Sequence, residues 1–288
     1  MKNTKLTIYT TIACLGACLP SANAATIWTG NTNSDFGTAG NWNNGLPGAV
    51  GSNDNATIDN GDTVSLTGDQ TGLNNYRLIV TGNSTLNVSG SFDATHFQVN
   101  SGSTINLNSG SSFDMTQTSG SNNGTAGNSP VISGTLNISG GTHDFEERLA
   151  GAGLIQVIGN DATISFHQMG GYLGDFGFQF DSDGVSTITG QGGFPWFDIG
   201  SSEVTVDGSA YSLASDATFD LLNSTSAAGS FTGSQAISGF AHYYDVTFEQ
   251  VIEGGRRIER LVVMAPEPSS TALLGLGGLA LMLRRKRS

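Results

Sequence analysis

The sequence predicts an all-β protein whose main body is a right-handed parallel β-helix, a solenoid of short strands stacked in parallel. Three observations predict this fold: a recurring strand motif, alternation of apolar and polar residues within each copy, and abundant glycine. Glycine accounts for 41 of the 288 residues, about twice the usual share, and proline for only six. This composition is typical of short strands joined by tight turns.

The first 24 residues have the features of a secretory signal peptide. Two lysines near the start precede an apolar stretch at residues 6–19, and residues 21–24, Ser-Ala-Asn-Ala, have the small residues of a signal peptidase site. We therefore expect signal peptidase to cleave between Ala24 and Ala25.

Both cysteines of the chain, Cys14 and Cys18, lie within this peptide. The exported part can therefore form no disulfide and no thiolate metal site. Residues 15–18, Leu-Gly-Ala-Cys, have the outline of a lipobox, so an alternative is a lipid attached to Cys18. Simple cleavage is favoured, because the later site after Ala24 is better placed and small residues are common in such peptides.

The expected mature body, residues 25–268, is strongly acidic. It contains all 24 acidic residues of the chain but only five arginines and no lysine, a net charge of −19. Such a surface repels phosphate backbones, which argues against nucleic acid as a partner. Cations and neutral sugars are compatible with it.

A strand motif recurs along the body. RLIVTGNSTLNV at residues 77–88 aligns without gaps with HFQVNSGSTINL at 96–107, an offset of 19 residues. GTLNISG at 134–140 and QVIGNDATISF at 156–166 repeat the motif. We therefore expect roughly six to eight coils of about 20 residues each between residues 56 and 206.

In each copy a threonine is followed by an apolar, a polar and an apolar residue, the pattern of a half-buried strand. Parallel stacking buries the apolar faces, adds about 4.8 Å per coil and lets Asn87 and Asn106 hydrogen-bond as a ladder. Residues 109–130 are then expected to form a loop between coils. The alternative fold is an antiparallel β-sandwich or jelly roll. The apolar pairs are Leu86 and Val88, Ile105 and Leu107, Leu136 and Ile138, and Ile164 and Phe166.

The opening of the body, residues 27–68, carries tryptophan, Asn-Trp, Gly-x-Pro and a strand pair in a recognisable order. The residues in the pattern are Trp28, Gly30, Asn41, Trp42, Gly45, Pro47, Ala56, Ile58, Gly61, Val64 and Leu66. The pattern resembles the opening of autotransporter-type β-helix passenger proteins. The resemblance implies a β-helix for residues 25–207 and implies nothing about chemistry.

Residues 208–264 are predicted to form a C-terminal β cap. Residues 244–248 and 258–263 alternate well, and Gly254-Gly255 marks a turn between them. The segment resembles the closing part of the same passenger proteins. Its expected task is to cover the last coil, because an open strand edge promotes aggregation.

The final segment, residues 265–288, has three parts in a fixed order. Pro266-Glu267-Pro268 is followed by 13 uncharged residues from Thr271 to Leu283 and then by the basic run at 284–287. At about 1.5 Å per helical residue, 13 residues cover roughly 20 Å, less than a bilayer core of about 30 Å. The helix is therefore short for a permanent anchor.

This pattern resembles the PEP-CTERM sorting signal of Gram-negative bacteria. The resemblance implies processing by exosortase, a membrane enzyme, and a surface or exopolysaccharide-associated product. We expect a membrane-anchored precursor with a short transmembrane helix, later found at the cell surface or in the extracellular matrix. An ordinary short anchor is the alternative. The implied sorting residues are Pro266, Glu267, Pro268, Arg284, Arg285, Lys286 and Arg287.

The densest charge cluster of the body lies at residues 142–151 and includes Glu147 and Arg148. It is either a solvated turn of helical period or a polysaccharide lyase site, and the turn is favoured because one arginine in an acidic field recruits no anionic substrate. The four histidines lack the spacing of a metal centre. Two of them, His96 and His167, are expected to face outward from strands.

Two further segments hold candidate ligand residues. Asp181 and Asp183 resemble the start of a calcium loop, although the twelfth position is Gly192 instead of glutamate, so a β-turn is the alternative. Trp196 lies in an aromatic segment that either stacks on sugar rings or packs on the core. The sequence thus predicts a non-catalytic structural or adhesive surface protein. The alternatives are a polysaccharide lyase or hydrolase and a carbohydrate- or calcium-binding module.

Overall fold

A computed structural model describes residues 25–47, 55–70, 77–94, 96–115, 130–168, 172–190, 202–213, 215–224, 231 and 233–265. The expected signal peptide and the sorting segment from Pro266 onward lie outside the described residues.

The described chain is all-β apart from one 3₁₀ turn at Ala39–Asn41. Most strands are four residues or fewer, and apolar residues alternate with polar ones along them. The strands are β1 (Thr26–Ile27), β2 (Asn55–Ile58), β3 (Thr63–Leu66), β4 (Arg77–Val80), β5 (Thr85–Val88), β6 (Ser91–Asp93), β7 (His96–Val99), β8 (Thr104–Leu107), β9 (Ser112–Asp114), β10 (Val131–Ile132), β11 (Thr135–Ile138), β12 (Gly141–Arg148), β13 (Leu154–Ile158), β14 (Ala162–Gln168), β15 (Asp175–Gln179), β16 (Ile188–Gly190), β17 (Val204–Asp207), β18 (Ala217–Asn223), β19 (Gln235–Ser238), β20 (Asp245–Glu253) and β21 (Arg256–Met264).

The strands form three sheets. Sheet 1 has the order β1-β2-β4-β7-β10, sheet 2 the order β3-β5-β8-β11-β13-β15-β17-β19, and sheet 3 the order β6-β9-β12-β14-β16-β18-β21-β20. The named strands of sheets 1 and 2 pair in parallel throughout, and from β2 to β20 consecutive strands of the chain lie on different sheets. This arrangement fits an open solenoid. It differs from the antiparallel sandwich considered as the alternative.

The predicted 19-residue repeat is confirmed by the strand register. Leu78 is paired with Phe97 in sheet 1, and Leu86 is paired with Ile105 in sheet 2. Leu136 continues the second column, as the motif predicts.

The fourth copy of the motif was aligned wrongly. Ile164 lies in sheet 3, paired with His143 and Ile188, whereas the residue that stacks on Leu136 in sheet 2 is Ile155. The two short apolar runs of this coil have the same alternation, so the sequence pattern did not distinguish their sheets.

The loop predicted at residues 109–130 is also corrected in part. Ser112–Asp114 is a strand that pairs in parallel with β6 and β12, and its Phe113 is buried. Phe113 is the one inward residue of this strand, so the sequence lacks the apolar–polar alternation by which a strand is recognised. Residues 116–129 of the predicted loop lie outside the described residues.

Inside the stack the apolar residues form one continuous core. Phe145 and Phe166 are stacked with ring centroids 4.3 Å apart, and Phe92 and Phe113 with centroids 5.4 Å apart. Each such side chain contributes roughly 1.5–3 kcal/mol by leaving water. Burial of these columns is therefore the main stabilisation of a body that has no disulfide.

Three glycines allow the coils to approach closely at one corner. Gly134, Gly153 and Gly174 each directly precede a strand of sheet 2. A Cβ on Gly153 would overlap the carbonyl oxygen of Gly134, and a Cβ on Gly174 would overlap that of Gly153. The high glycine content thus serves close coil packing as well as turns.

At the N-terminal end, Trp28 and Trp42 close the core. Their rings meet edge to face with centroids 5.2 Å apart, and Trp42 Nε1 donates to the Phe36 carbonyl oxygen over 2.9 Å. Asn41 is fully buried, and its side-chain oxygen accepts the backbone N–H groups of Thr32 and Asn33. Three residues of the resemblance, Trp28, Asn41 and Trp42, therefore cover the first coil.

At the C-terminal end, a hairpin extends sheet 3. The two strands β20 and β21 are antiparallel, and β21 pairs with β18. The predicted turn is confirmed: Gly254 and Gly255 both have positive φ, 57° and 78°, as a two-residue hairpin loop requires. Parallel pairing continues as far as β19, and the boundary between body and cap at residues 207 and 208 stays a prediction.

Candidate functional site

The outer side of sheet 2 presents a regular uncharged surface, here called the neutral face. It consists of the outward residues of four successive strands, which stack in register at about 4.8 Å per coil. All eight are hydroxyl or amide residues, in contrast to the acidic body as a whole. They are Thr63, Ser65, Thr85, Asn87, Thr104, Asn106, Thr135 and Asn137.

Three asparagines of the neutral face form a ladder. Asn106 Nδ2 donates to Asn87 Oδ1 over 2.7 Å, and Asn137 Nδ2 donates to Asn106 Oδ1 over 2.7 Å. The ladder predicted between Asn87 and Asn106 is therefore confirmed and extends by one coil. Among the described residues, the ladder uses one N–H and one lone pair of Asn106, which leaves its second N–H and second lone pair for an external ligand.

The outer side of sheet 3 has a different character. Asp93, Asp114 and Asp144 follow one another in register on three strands. Ser165 Oγ donates to Asp144 Oδ1 over 2.8 Å, at the border of a shallow depression of about 620 Å³ that is lined largely by hydroxyl residues. This face is polar and acidic, so it repels anionic polymers. The neutral face has no such charge and is compatible with uncharged polymers.

His143 is enclosed by the core. Its side chain is 1% exposed, and Nε2 lies 2.7 Å from the Gly140 carbonyl oxygen, to which it donates. Nδ1 is buried and has no hydrogen-bond partner among the described residues. Burial lowers the pKa of His143, and the bond to Gly140 offsets this only in part. The ring is therefore neutral and structural.

The charged segment at 142–151 is a strand, not the turn of helical period that we expected. Residues 141–148 form β12, with an irregular register between Phe145 and Arg148 opposite β14. Strand pairing on both sides overrides the local charge pattern, because Phe145 is fully buried and fixes the alternation. Glu147 and Arg148 lie on this strand next to the irregularity.

The expected outward histidines, His96 and His167, lie on β7 and β14 and are half-buried.

Asp181 stabilises a turn. Its Oδ1 accepts the backbone N–H groups of Asp183 and Gly184, each over 2.8 Å, and its Oδ2 accepts that of Asn160 over 3.1 Å. These bonds match the β-turn alternative. No group of three or more histidine and acidic side chains in the described ranges is arranged to hold a metal ion. Trp196 lies outside the described residues.

Glu259 is a buried acid that the sequence did not single out. It lies on β21, is 3% exposed, and its Oε1 accepts a hydrogen bond from Gln235 Nε2 of β19. Gln250, opposite it on β20, donates to the Phe231 carbonyl oxygen over 2.7 Å. Burial raises the pKa of Glu259 to about 7, although the bonds from Gln235 and Gln250 lower it. No local pattern indicated its burial, because Glu259 lies between Ile258 and Arg260 in the chain.

The last described residue is attached directly to the fold. Strand β21 ends at Met264, and the backbone N–H of Ala265 donates to Asp216 Oδ1 over 2.8 Å. Ala265 is therefore held against the fold directly after the last strand. The predicted sorting residues, Pro266 to Pro268 and Arg284 to Arg287, lie outside the described residues, as does Ala24. At the other end, Ala25 accepts a hydrogen bond from Asn44 Nδ2.

None of the helical structure in the described ranges is long and apolar enough to cross a bilayer. The expected transmembrane helix falls on residues outside those ranges.

Comparison with protein families matches residues 265–287 to the PEP-CTERM protein-sorting motif. The motif implies export, sorting to the cell surface and processing by an exosortase-type membrane enzyme. Neither the curated proteins nor the solved structures contain a significant match to the chain. The matched segment begins at Ala265, the residue held by Asp216.

Proposed function

We propose that this chain is a non-catalytic structural or adhesive protein of the cell envelope or the extracellular polysaccharide matrix. It reaches the surface after signal peptidase removes residues 1–24 and an exosortase-type enzyme processes the tail. The observation that carries this proposal is the sorting motif at 265–287, which starts where the last strand ends.

The proposed body is a right-handed parallel β-helix. Strands β4 to β12 visit the three sheets in turn, and this order supports the proposal, together with the rule that parallel strand crossovers are right-handed in about 98% of cases. An experimental structure with left-handed coils would contradict this part of the proposal.

Processing is tested by changing the motif. Replacement of Pro266, Glu267 and Pro268 by alanine, or deletion of residues 284–287, is expected to leave unprocessed chain in the membrane fraction. Mass spectrometry of the C-terminus from native cells measures the outcome. Normal maturation of either variant would contradict the sorting assignment. A matched control is Arg256→Ala, which removes a basic residue in the hairpin outside the motif.

The proposed ligand of the neutral face is an uncharged polysaccharide. The face offers hydroxyl and amide groups at a regular spacing, and a net charge of −19 on the body disfavours anionic chains. Binding of the purified protein to extracellular polysaccharide is expected to weaken at least fivefold in Thr104→Val and to persist in Thr163→Val. The second threonine is exposed on sheet 3.

Polysaccharide cleavage is the second candidate. The irregular register beside Arg148 favours it, because strand irregularities are frequent next to active sites. Release of oligosaccharides by the purified protein, lost in Glu147→Gln or Arg148→Met, would replace the structural role with this one. A carbohydrate- or calcium-binding module at Asp181 and Asp183 is the third candidate.

A further inference from the structure

The hairpin end that carries the sorting motif exposes two large apolar side chains next to two exposed aspartates, Asp216 and Asp245. Met264 is 50% exposed at the end of β21, and Tyr243 is 50% exposed in the turn that precedes β20. Asp245 is the register partner of Met264, so Tyr243 and Ala265 extend beyond the same end of the hairpin. Two large apolar side chains thus flank the point where the chain leaves the fold.

The distance from this end to the uncharged tail is short. Ala265 is fixed to Asp216, and five residues separate it from Thr271, where the uncharged segment begins. The six chain steps from Ala265 to Thr271 span at most about 22 Å. The headgroup layer on one side of a bilayer accounts for roughly 5–8 Å of that span. If the uncharged segment is in the bilayer core, the hairpin end can stand no more than about 15 Å from the lipid surface.

We propose that, in the anchored precursor, the hairpin end formed by Tyr243, Met264 and Ala265 rests in the lipid headgroup layer. This inference depends on the proposed membrane-anchored precursor and goes beyond it, because it assigns a membrane-contacting surface to the folded body. Tyrosine is enriched at this depth of membranes, where its ring is shielded from water and its hydroxyl stays hydrated.

The opposite end of the same hairpin provides a matched control. Ile252 is 60% exposed, and it lies seven residues along β20 from Asp245, roughly 23 Å away at about 3.3 Å per residue. It is as apolar as Met264 but faces water in the proposed orientation. Leu173, which is 69% exposed on the stack, is a second control.

The experiment uses the precursor after removal of residues 1–24, a chain that contains no cysteine. Single variants Tyr243→Cys, Met264→Cys, Ile252→Cys and Leu173→Cys carry an environment-sensitive fluorophore in phosphatidylcholine vesicles with headgroup-labelled quencher lipid. Quenching at positions 243 and 264 is expected to exceed that at 252 and 173 at least threefold. The melting temperature of each variant verifies that it is folded.

Two results would overturn the inference in distinguishable ways. Precursor that does not float with the vesicles would overturn the membrane anchor, and with it both the proposed function of the tail and the docking surface. Precursor that floats but shows equal quenching at positions 243 and 252 would overturn the docking surface alone.

Discussion

Asn106 donates its side-chain N–H to Asn87, its register partner one coil earlier, over 2.7 Å. The same side chain accepts a bond from Asn137 of the next coil. Two residues 19 positions apart in the chain are thereby joined on the outer wall, where a lost bond can be measured without opening the core.

The ladder predicts unequal effects at its middle position, Asn106, and at its end position, Asn137. Asn106→Ala removes two hydrogen bonds and Asn137→Ala removes one of them, so the losses in unfolding free energy are expected to be about 2 and about 1 kcal/mol. Urea unfolding measures both. Equal losses would show that the amide chain contributes nothing beyond each side chain alone. Asn44→Ala, which removes one exposed hydrogen bond to the Ala25 carbonyl oxygen, is a control for a bond outside the ladder.

Glu259 is expected to make the protein less stable as the pH rises. Its pKa is about 7 in the folded chain and near 4.5 when unfolded, so the folded state binds more protons between these values. Unfolding free energy should therefore fall from pH 4.5 to pH 7 and the Glu259→Gln variant should lose this slope. Thermal melts across this range measure it. Glu249→Gln, an exposed change on β20, should keep the parent slope.

His143 is expected to act with the opposite sign. Burial lowers its pKa below 6.5, so the unfolded state binds more protons as the pH falls below that value. The stability from neutral His143 is complete above pH 6.5 and is lost as the pH falls through the lowered pKa. His143→Gln should remove this acid sensitivity in urea unfolding at pH 5 and pH 7. If His242→Gln, at an exposed position, has the same effect, the assignment to His143 is wrong.

Asp181 is expected to matter as a backbone acceptor. Asp181→Ala leaves three N–H groups without their carboxylate and should cost about 1–2 kcal/mol, whereas Asp181→Asn keeps one acceptor oxygen and should cost less. Melting with and without calcium tests the alternative. A calcium-dependent rise in Tm that disappears in the Asp181→Asn, Asp183→Asn double variant would identify these residues as calcium ligands instead.

Much of the stack could be predicted because its strands repeat. The gapless alignment of residues 77–88 with 96–107 gives the register of sheets 1 and 2, since inward apolar positions stack on inward apolar positions in successive coils. The hairpin turn at Gly254-Gly255 was equally local. Strand β9 and the sheet that contains Ile164 were not predicted correctly, because short apolar runs do not identify the sheet that they join.

The candidate functional features also divide into those that the sequence predicted and those that only the tertiary structure decided. The motif at 265–287 is a contiguous pattern, so the sequence by itself determined it, along with the acidic charge of the body. The burial of Glu259 beside Gln235 depends on residues 24 positions apart and was decided only by tertiary structure. The same holds for the bond between Asp216 and Ala265, 49 positions apart. A linear pattern contains the order of residues along one strand, whereas contacts across sheets arise only when the coils close on a common core.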